Sequence, residues 1–164
     1  MRKTAIFGIA ALALTFAATA ARSQIFSTPA SGNRQSVEFL YPEQVAVTAG
    51  KPTAVRLHFR VAEGMHINSH IPADADLIPT VLTLHEGSDV KLEGATYPKG
   101  ESYTPAADSK TKLNVYTGEF IIEARLLTMP GNHLAEARLR YQACDNALCM
   151  PPRTLTVAID VEGK

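Results

Sequence analysis

The 164-residue sequence contains no tryptophan and only two cysteines, and its 16 basic side chains are matched by 16 acidic ones. Each shortage removes a class of answer. Two cysteines cannot build the multi-bridge scaffold of a small secreted domain. A bridge across the short loop between them would add only about 2 kcal/mol by the chain-entropy estimate, and the chain is long enough to bury a core without staples. Balanced charge leaves neither a nucleic-acid patch nor a polybasic membrane arm. With no tryptophan, the Cys-Trp-Cys mark of antibody domains is missing. No window carries a sustained apolar stripe at 3.6-residue spacing, so helices are not expected. After Ala20 nothing approaches the roughly 20 apolar residues of a membrane span.

What is present begins with a targeting pattern. Arg2 and Lys3 precede an apolar run from Ala5 to about Ala18, and Ala18-Thr19-Ala20 supplies a small-x-small cleavage site. Residues 1–20 are therefore expected to be a cleaved signal peptide, with an uncleaved anchor as the competing reading, disfavoured by length. No cysteine follows the cut closely, which argues against a lipid anchor. The mature chain would keep about 144 residues, with 14 basic and 16 acidic side chains, a net charge of −2. Its expected location is the periplasm, as a soluble protein. Residues 21–35 are polar and small without periodicity, a flexible lead-in. One domain is expected over 36–164.

Within that domain the dominant period is two. Val55, Leu57, Phe59 and Val61 alternate with Ala54, Arg56, His58 and Arg60, which places apolar groups on one face. Similar alternation runs through Phe120-Ile122-Ala124-Leu126, Ala137-Leu139-Tyr141-Ala143 and Leu155-Val157-Ile159-Val161. Shorter candidates are Ser36–Leu40, Gln44–Val47, Thr80–His85 and Val90–Glu93, punctuated by Gly, Pro, Asn and Asp. Seven or eight half-buried strands predict an all-β fold, an immunoglobulin-like antiparallel β-sandwich. The stretch Tyr97–Leu113, with Pro98, Gly100 and Pro105, resists a strand assignment; a loop of that length is either a lid or a surface excursion.

The chemistry concentrates in Cys144 and Cys149, which sit between two strongly alternating strands. Five extended residues would hold their Cα atoms roughly 17 Å apart, whereas a disulfide needs about 7 Å or less, so a bridge requires the chain to double back. Asp145-Asn146 is suitable turn chemistry. Three readings stand on these residues alone. The pair is a hairpin staple, a redox-active disulfide, or part of a metal site, since C-x4-C lacks the specificity of C-x2-C. For the metal reading, Met65, His66, His70 and Met150 would be the accompanying soft donors. Gly64 and Pro72 favour an extended segment that keeps His66 and His70 apart, and no metal or cofactor is expected. Pro151 and Pro152 donate no backbone hydrogen bonds and leave a strand edge open, and either peptide bond into them is a candidate for cis.

Four motifs carry a family resemblance: GMHINSHIPADADLIPT (Gly64–Thr80), YPKG (Tyr97–Gly100), LNVYTGEF (Leu113–Phe120) and YQACDNALCMPP (Tyr141–Pro152). Together they resemble the N-terminal periplasmic domain of the thiol:disulfide interchange protein DsbD, the disulfide-bond corrector domains. The resemblance implies an immunoglobulin-like fold and a cysteine pair that carries electrons from a membrane reductase to periplasmic disulfide proteins. It also implies a cap loop over that pair. Cys144 and Cys149 match the redox cysteines, with Cys149 the expected site of mixed disulfides. His66 and Asn68 fall where well-known members carry polar aromatics, and the Tyr97–Leu113 stretch would be the cap, with Tyr103 as its shield. A thiolate at the attacking sulfur is required, and positive charge from His66 or His70 is one source of help. The chain ends at Lys164 without the membrane and thioredoxin-like domains of full-length DsbD, so the expected partners are separate proteins and the role is that of a carrier.

Overall fold

Four long strands bury every second side chain, and their inward faces make one core. The computed structural model describes residues 35–85, 89–106 and 108–164; the leader and almost all of the expected lead-in lie outside them. Strands β1 (Val37–Tyr41), β2 (Gln44–Val47), β3 (Thr53–Val61), β4 (His66–Asn68), β5 (Val81–Leu84) and β6 (Lys91–Thr96) are followed by β7 (Glu101–Tyr103), β8 (Leu113–Tyr116), β9 (Glu119–Leu127), β10 (Gly131–Tyr141), β11 (Ala143–Cys144) and β12 (Arg153–Gly163). They form three ladders, ordered β1-β3-β9-β6, β2-β12-β10-β5 and β11-β4-β8-β7.

The first two ladders are the expected immunoglobulin-like sandwich. Val55, Leu57, Phe59 and Val61 of β3 and Phe120, Ile122, Ala124 and Leu126 of β9 face Ala135, Ala137, Leu139 and Tyr141 of β10 and Leu155, Val157, Ile159 and Val161 of β12 in a single apolar cluster. Full burial of a large aliphatic side chain such as Leu139 or Ile159 contributes about 1.5–3 kcal/mol. β10 and β12 pair antiparallel over their whole length, from Gly131↔Gly163 to Tyr141↔Arg153. The β2–β12 pair is parallel, a departure from a purely antiparallel expectation.

The third ladder was not expected as a unit, because its strands are two to four residues long and too short to show periodicity. Part of the stretch that resisted a strand assignment is β7, which pairs antiparallel with β8. A chain of aromatic rings ties this ladder to the sandwich. Phe39 meets Phe59 at 5.4 Å, Phe59 stacks on Phe120 at 5.4 Å, and Phe120 stacks on Tyr116 of β8 at 4.9 Å. The Tyr116 hydroxyl accepts the His70 N–H and donates to Pro98 O, both at 3.0 Å. Tyr97 fixes the same corner: its hydroxyl accepts the Leu82 N–H at 2.8 Å. Gly100 is required there, since a Cβ would collide with the Asn114 side chain and with Ser69 Cβ. The cis bond among the described residues is Tyr41–Pro42, so the bonds into Pro151 and Pro152 are trans.

Candidate functional site

Past Tyr141 the chain leaves the sandwich and makes a tight hairpin. Cys144 and Cys149 are bridged, with S–S 1.99 Å and Cα–Cα 3.9 Å. They oppose one another directly in an antiparallel bridge, flanked on one side by Met150 N–H to Ala143 O at 2.8 Å and on the other by Asp145 N–H to Leu148 O at 3.0 Å. The cysteines thus occupy the non-hydrogen-bonded position of the ladder, where facing residues approach most closely. The turn is set by Asp145, whose carboxylate accepts the Ala147 and Leu148 N–H groups at 2.7 and 2.9 Å. Those bonds hold the Asp145 carboxyl below the usual range. Asp145-Asn146 does form the expected turn.

The two sulfur-bearing residues differ in surroundings. Cys144 is 2% exposed, paired with His66 across the β11–β4 ladder, whereas Cys149 is exposed. Beside it Leu148 is 59% exposed, an apolar side chain next to the accessible cysteine.

His66, Asn68 and Tyr103 all gather at this hairpin. The His66 and Tyr103 rings lie 4.2 Å apart, and the Tyr103 hydroxyl donates to Asn146 Oδ1 at 2.5 Å, so the β7 strand reaches the cysteine turn itself. His66 is 3% exposed, and desolvation lowers its pKa against the opposing pull of the Asp145 charge. Burial therefore opposes a positive charge on this ring. His70 belongs to a different cluster: its ring lies flat on Tyr97 at 3.7 Å, and its Nδ1 is 3.0 Å from Thr80 O. Of the two histidines, His66 neighbours the cysteine pair through the ladder, and Met150 flanks it through its backbone bond to Ala143. Among the described residues no three His, Cys, Asp or Glu groups are placed to hold a metal ion.

Asn68, fully buried, donates from Nδ2 to Ile78 O at 3.0 Å and to Gln142 Oε1 at 3.4 Å. Gln142 Nε2 donates in turn to Met150 O at 3.2 Å, so Gln142 grips the residue just after Cys149. Sequence reasoning missed Gln142 and Asn146. Gln142 sat on the polar side of an alternating run, where a surface role is the default, and Asn146 read only as turn chemistry. Next to the hairpin a cleft of about 510 Å³ is lined by Met65, His66, Tyr103, Asn146 and the Arg60–Glu119 ion pair.

A bridged pair on a hairpin, with one cysteine outward, one inward and a tyrosine from a second hairpin latched to the turn, agrees with what the sequence resembles. Residues 36–161 match the family described as Thiol:disulfide interchange protein DsbD, N-terminal. The chain belongs to this family. As a DsbD N-terminal domain it is a thiol–disulfide exchange module. Among solved structures it is similar to the reduced N-terminal domain of DsbD from Neisseria meningitidis, at 21% identity, with 71% of this chain and 82% of that chain covered and a TM-score of 0.47. No curated protein matches the chain significantly. Among the described residues no helix is long and apolar enough to cross a membrane.

Proposed function

We propose that this DsbD N-terminal domain is a periplasmic electron carrier, working between a separate membrane thiol reductase and periplasmic disulfide proteins. The observation that carries the reading is the asymmetry of the pair, Cys149 outward and Cys144 inward. In the dithiol, Cys149 attacks a substrate disulfide as a thiolate and forms a mixed disulfide. Cys144 then attacks Cys149 Sγ, the bridge closes, and the substrate leaves reduced, having gained two electrons. The membrane reductase reverses these steps on the carrier. Exposure suits Cys149 to the thiolate, while burial keeps Cys144 protonated until the mixed disulfide forms.

In this reading Tyr103 is the shield, and the hairpin of β7 and β8 is the cap. His66 lines the site as a neutral ring, with Asn68 behind the pair. Tyr103, held on His66 and Asn146, limits how a partner approaches the turn, and the neighbouring cleft with exposed Leu148 offers apolar footing. The proposed chain organisation is a cleaved leader over 1–20, a lead-in over 21–35 and the exchange domain over 36–164.

Cys144→Ala should leave Cys149 able to trap partners as mixed disulfides in periplasmic extracts, and Cys149→Ala should trap none. Equal trapping by the two variants, or none by either, overturns the assignment. A pair that serves only as a staple would have a reduction potential below about −300 mV, whereas a carrier pair lies above it.

A further inference from the structure

Behind the disulfide one polar atom is left over. Asn68 is 0% exposed, and its two amide hydrogens are directed at Ile78 O and Gln142 Oε1. Both partners accept, so the amide orientation is fixed by the network and the remaining atom is the oxygen. Asn68 Oδ1 is buried and receives no hydrogen bond from the chain. A buried acceptor without a donor is costly and calls for a reason.

The ladder geometry supplies one. His66 and Asn68 alternate along β4 onto one face, and Cys144 lies directly opposite His66. The Asn68 N–H bonds to Gln142 O, so Gln142 and then Cys144 run past Asn68 on the facing strand. Asn68 and Cys144 are diagonal neighbours on one face of an antiparallel pair. In the bridged state Cys144 carries no hydrogen on sulfur and has nothing to donate. In the dithiol it has an S–H, and its burial favours the protonated form.

We propose that Asn68 Oδ1 accepts a hydrogen bond from the Cys144 thiol in the reduced protein, and that this bond, which the bridged Cys144 cannot make, favours the dithiol. This rests on the exchange reading given above. A partner dithiol supplies the balance: its thiolate attacks Cys149 Sγ, the S–S bond breaks, and Cys144 leaves as a thiolate and takes a proton. The second partner thiol then attacks the mixed disulfide and releases Cys149, so the partner is oxidised by two electrons and Cys144/Cys149 is reduced by two. The proton on Cys144 is the one that fills Asn68 Oδ1. The acceptor therefore stabilises the dithiol relative to the bridged state.

The test compares the wild-type chain with Asn68→Leu, close in volume and without the acceptor, by redox titration against glutathione. The bridged form should gain about tenfold in its equilibrium constant, a potential about 30 mV more negative. A change under about twofold, or one of opposite sign, overturns the proposal. A second measurement isolates the bond itself. In Cys149→Ala the only thiol is Cys144, and its S–H stretch in the infrared should stand at the lowered frequency of a hydrogen-bonded thiol and return to the free position when Asn68→Leu is added. A band already at the free position in Cys149→Ala overturns the proposal even if Asn68→Leu does not fold. Trapping by Cys144→Ala reports separately on the carrier role: a shifted potential and band with no trapping would support this hydrogen bond and sink the carrier reading.

Discussion

The sandwich and the outer ladder of β11, β4, β8 and β7 solve burial in opposite ways. In the sandwich the inward positions of β3, β9, β10 and β12 are apolar throughout. The outer ladder and the segment leading out of it bury His66, Asn68, Ser69 and Thr80, four of the six buried polar or charged residues in the described chain. Three of these have identifiable partners: the Ser69 hydroxyl donates to Ile71 O, the Thr80 hydroxyl to Asn68 O, and the Asn68 amide to Ile78 O. Apolar burial supplies stability without orientation, whereas buried polar groups fix positions at the expense of desolvation. The cysteine pair hangs from the second kind of surface.

If that division holds, damage to each region should be separable. The largest effect on stability belongs to the sandwich: Leu139→Ala should lower the unfolding free energy by about 2–5 kcal/mol, read from the urea midpoint, while leaving the potential of the cysteine pair unchanged. A moved potential would mean the two regions are coupled through β10. Gly100→Ala comes next, at about 1–3 kcal/mol from overpacking against Asn114 and Ser69. It should also disturb the root of the cap, so that Cys149 reacts faster with a small thiol reagent. Tyr103→Ala should reverse that ranking of effects. Losing the His66 contact and one exposed hydrogen bond costs about 1 kcal/mol or less, yet reduction of the disulfide by dithiothreitol should accelerate several-fold, measured by stopped-flow mixing.

The smallest effect is a pH dependence. Burial depresses the His66 pKa, so below about pH 6.5 the unfolded chain binds a proton that the folded one refuses. Stability is full above that pH and declines as the medium is acidified through it toward the folded value. His66→Gln should flatten this decline between pH 7 and 5.5, visible as urea midpoints that converge with wild type at high pH only in slope.

The four long strands could be read from the chain because each has enough alternating positions to reveal its period, from Val55–Val61 through Leu155–Val161. The hairpin was legible as well, since Asp145-Asn146 between the cysteines leaves few ways to close a bridge. The outer ladder was not. His66–Asn68 was legible as an extended strand, but its pairing with β11 and β8 was not, and Glu101–Tyr103 is three residues long and becomes a strand only through β8, distant in sequence. The burial of His66 was not legible for a related reason: its ring packs on Tyr103 and its strand pairs with β11, both distant in sequence. Gln142 escaped notice because its task, linking Asn68 to Met150, exists only once the hairpin has turned.

The backbone bonds on either side of the cysteines involve neither sulfur. Met150 N–H to Ala143 O and Asp145 N–H to Leu148 O hold the two arms in register, and Gln142 clamps Met150 from behind. If the proposed exchange holds, these bonds should keep the outline of the tip nearly constant when two electrons are gained or lost. On the proposed carrier reading, a docking protein should then meet the same contour on both redox states, and the supply of reducing partners would set the direction of traffic.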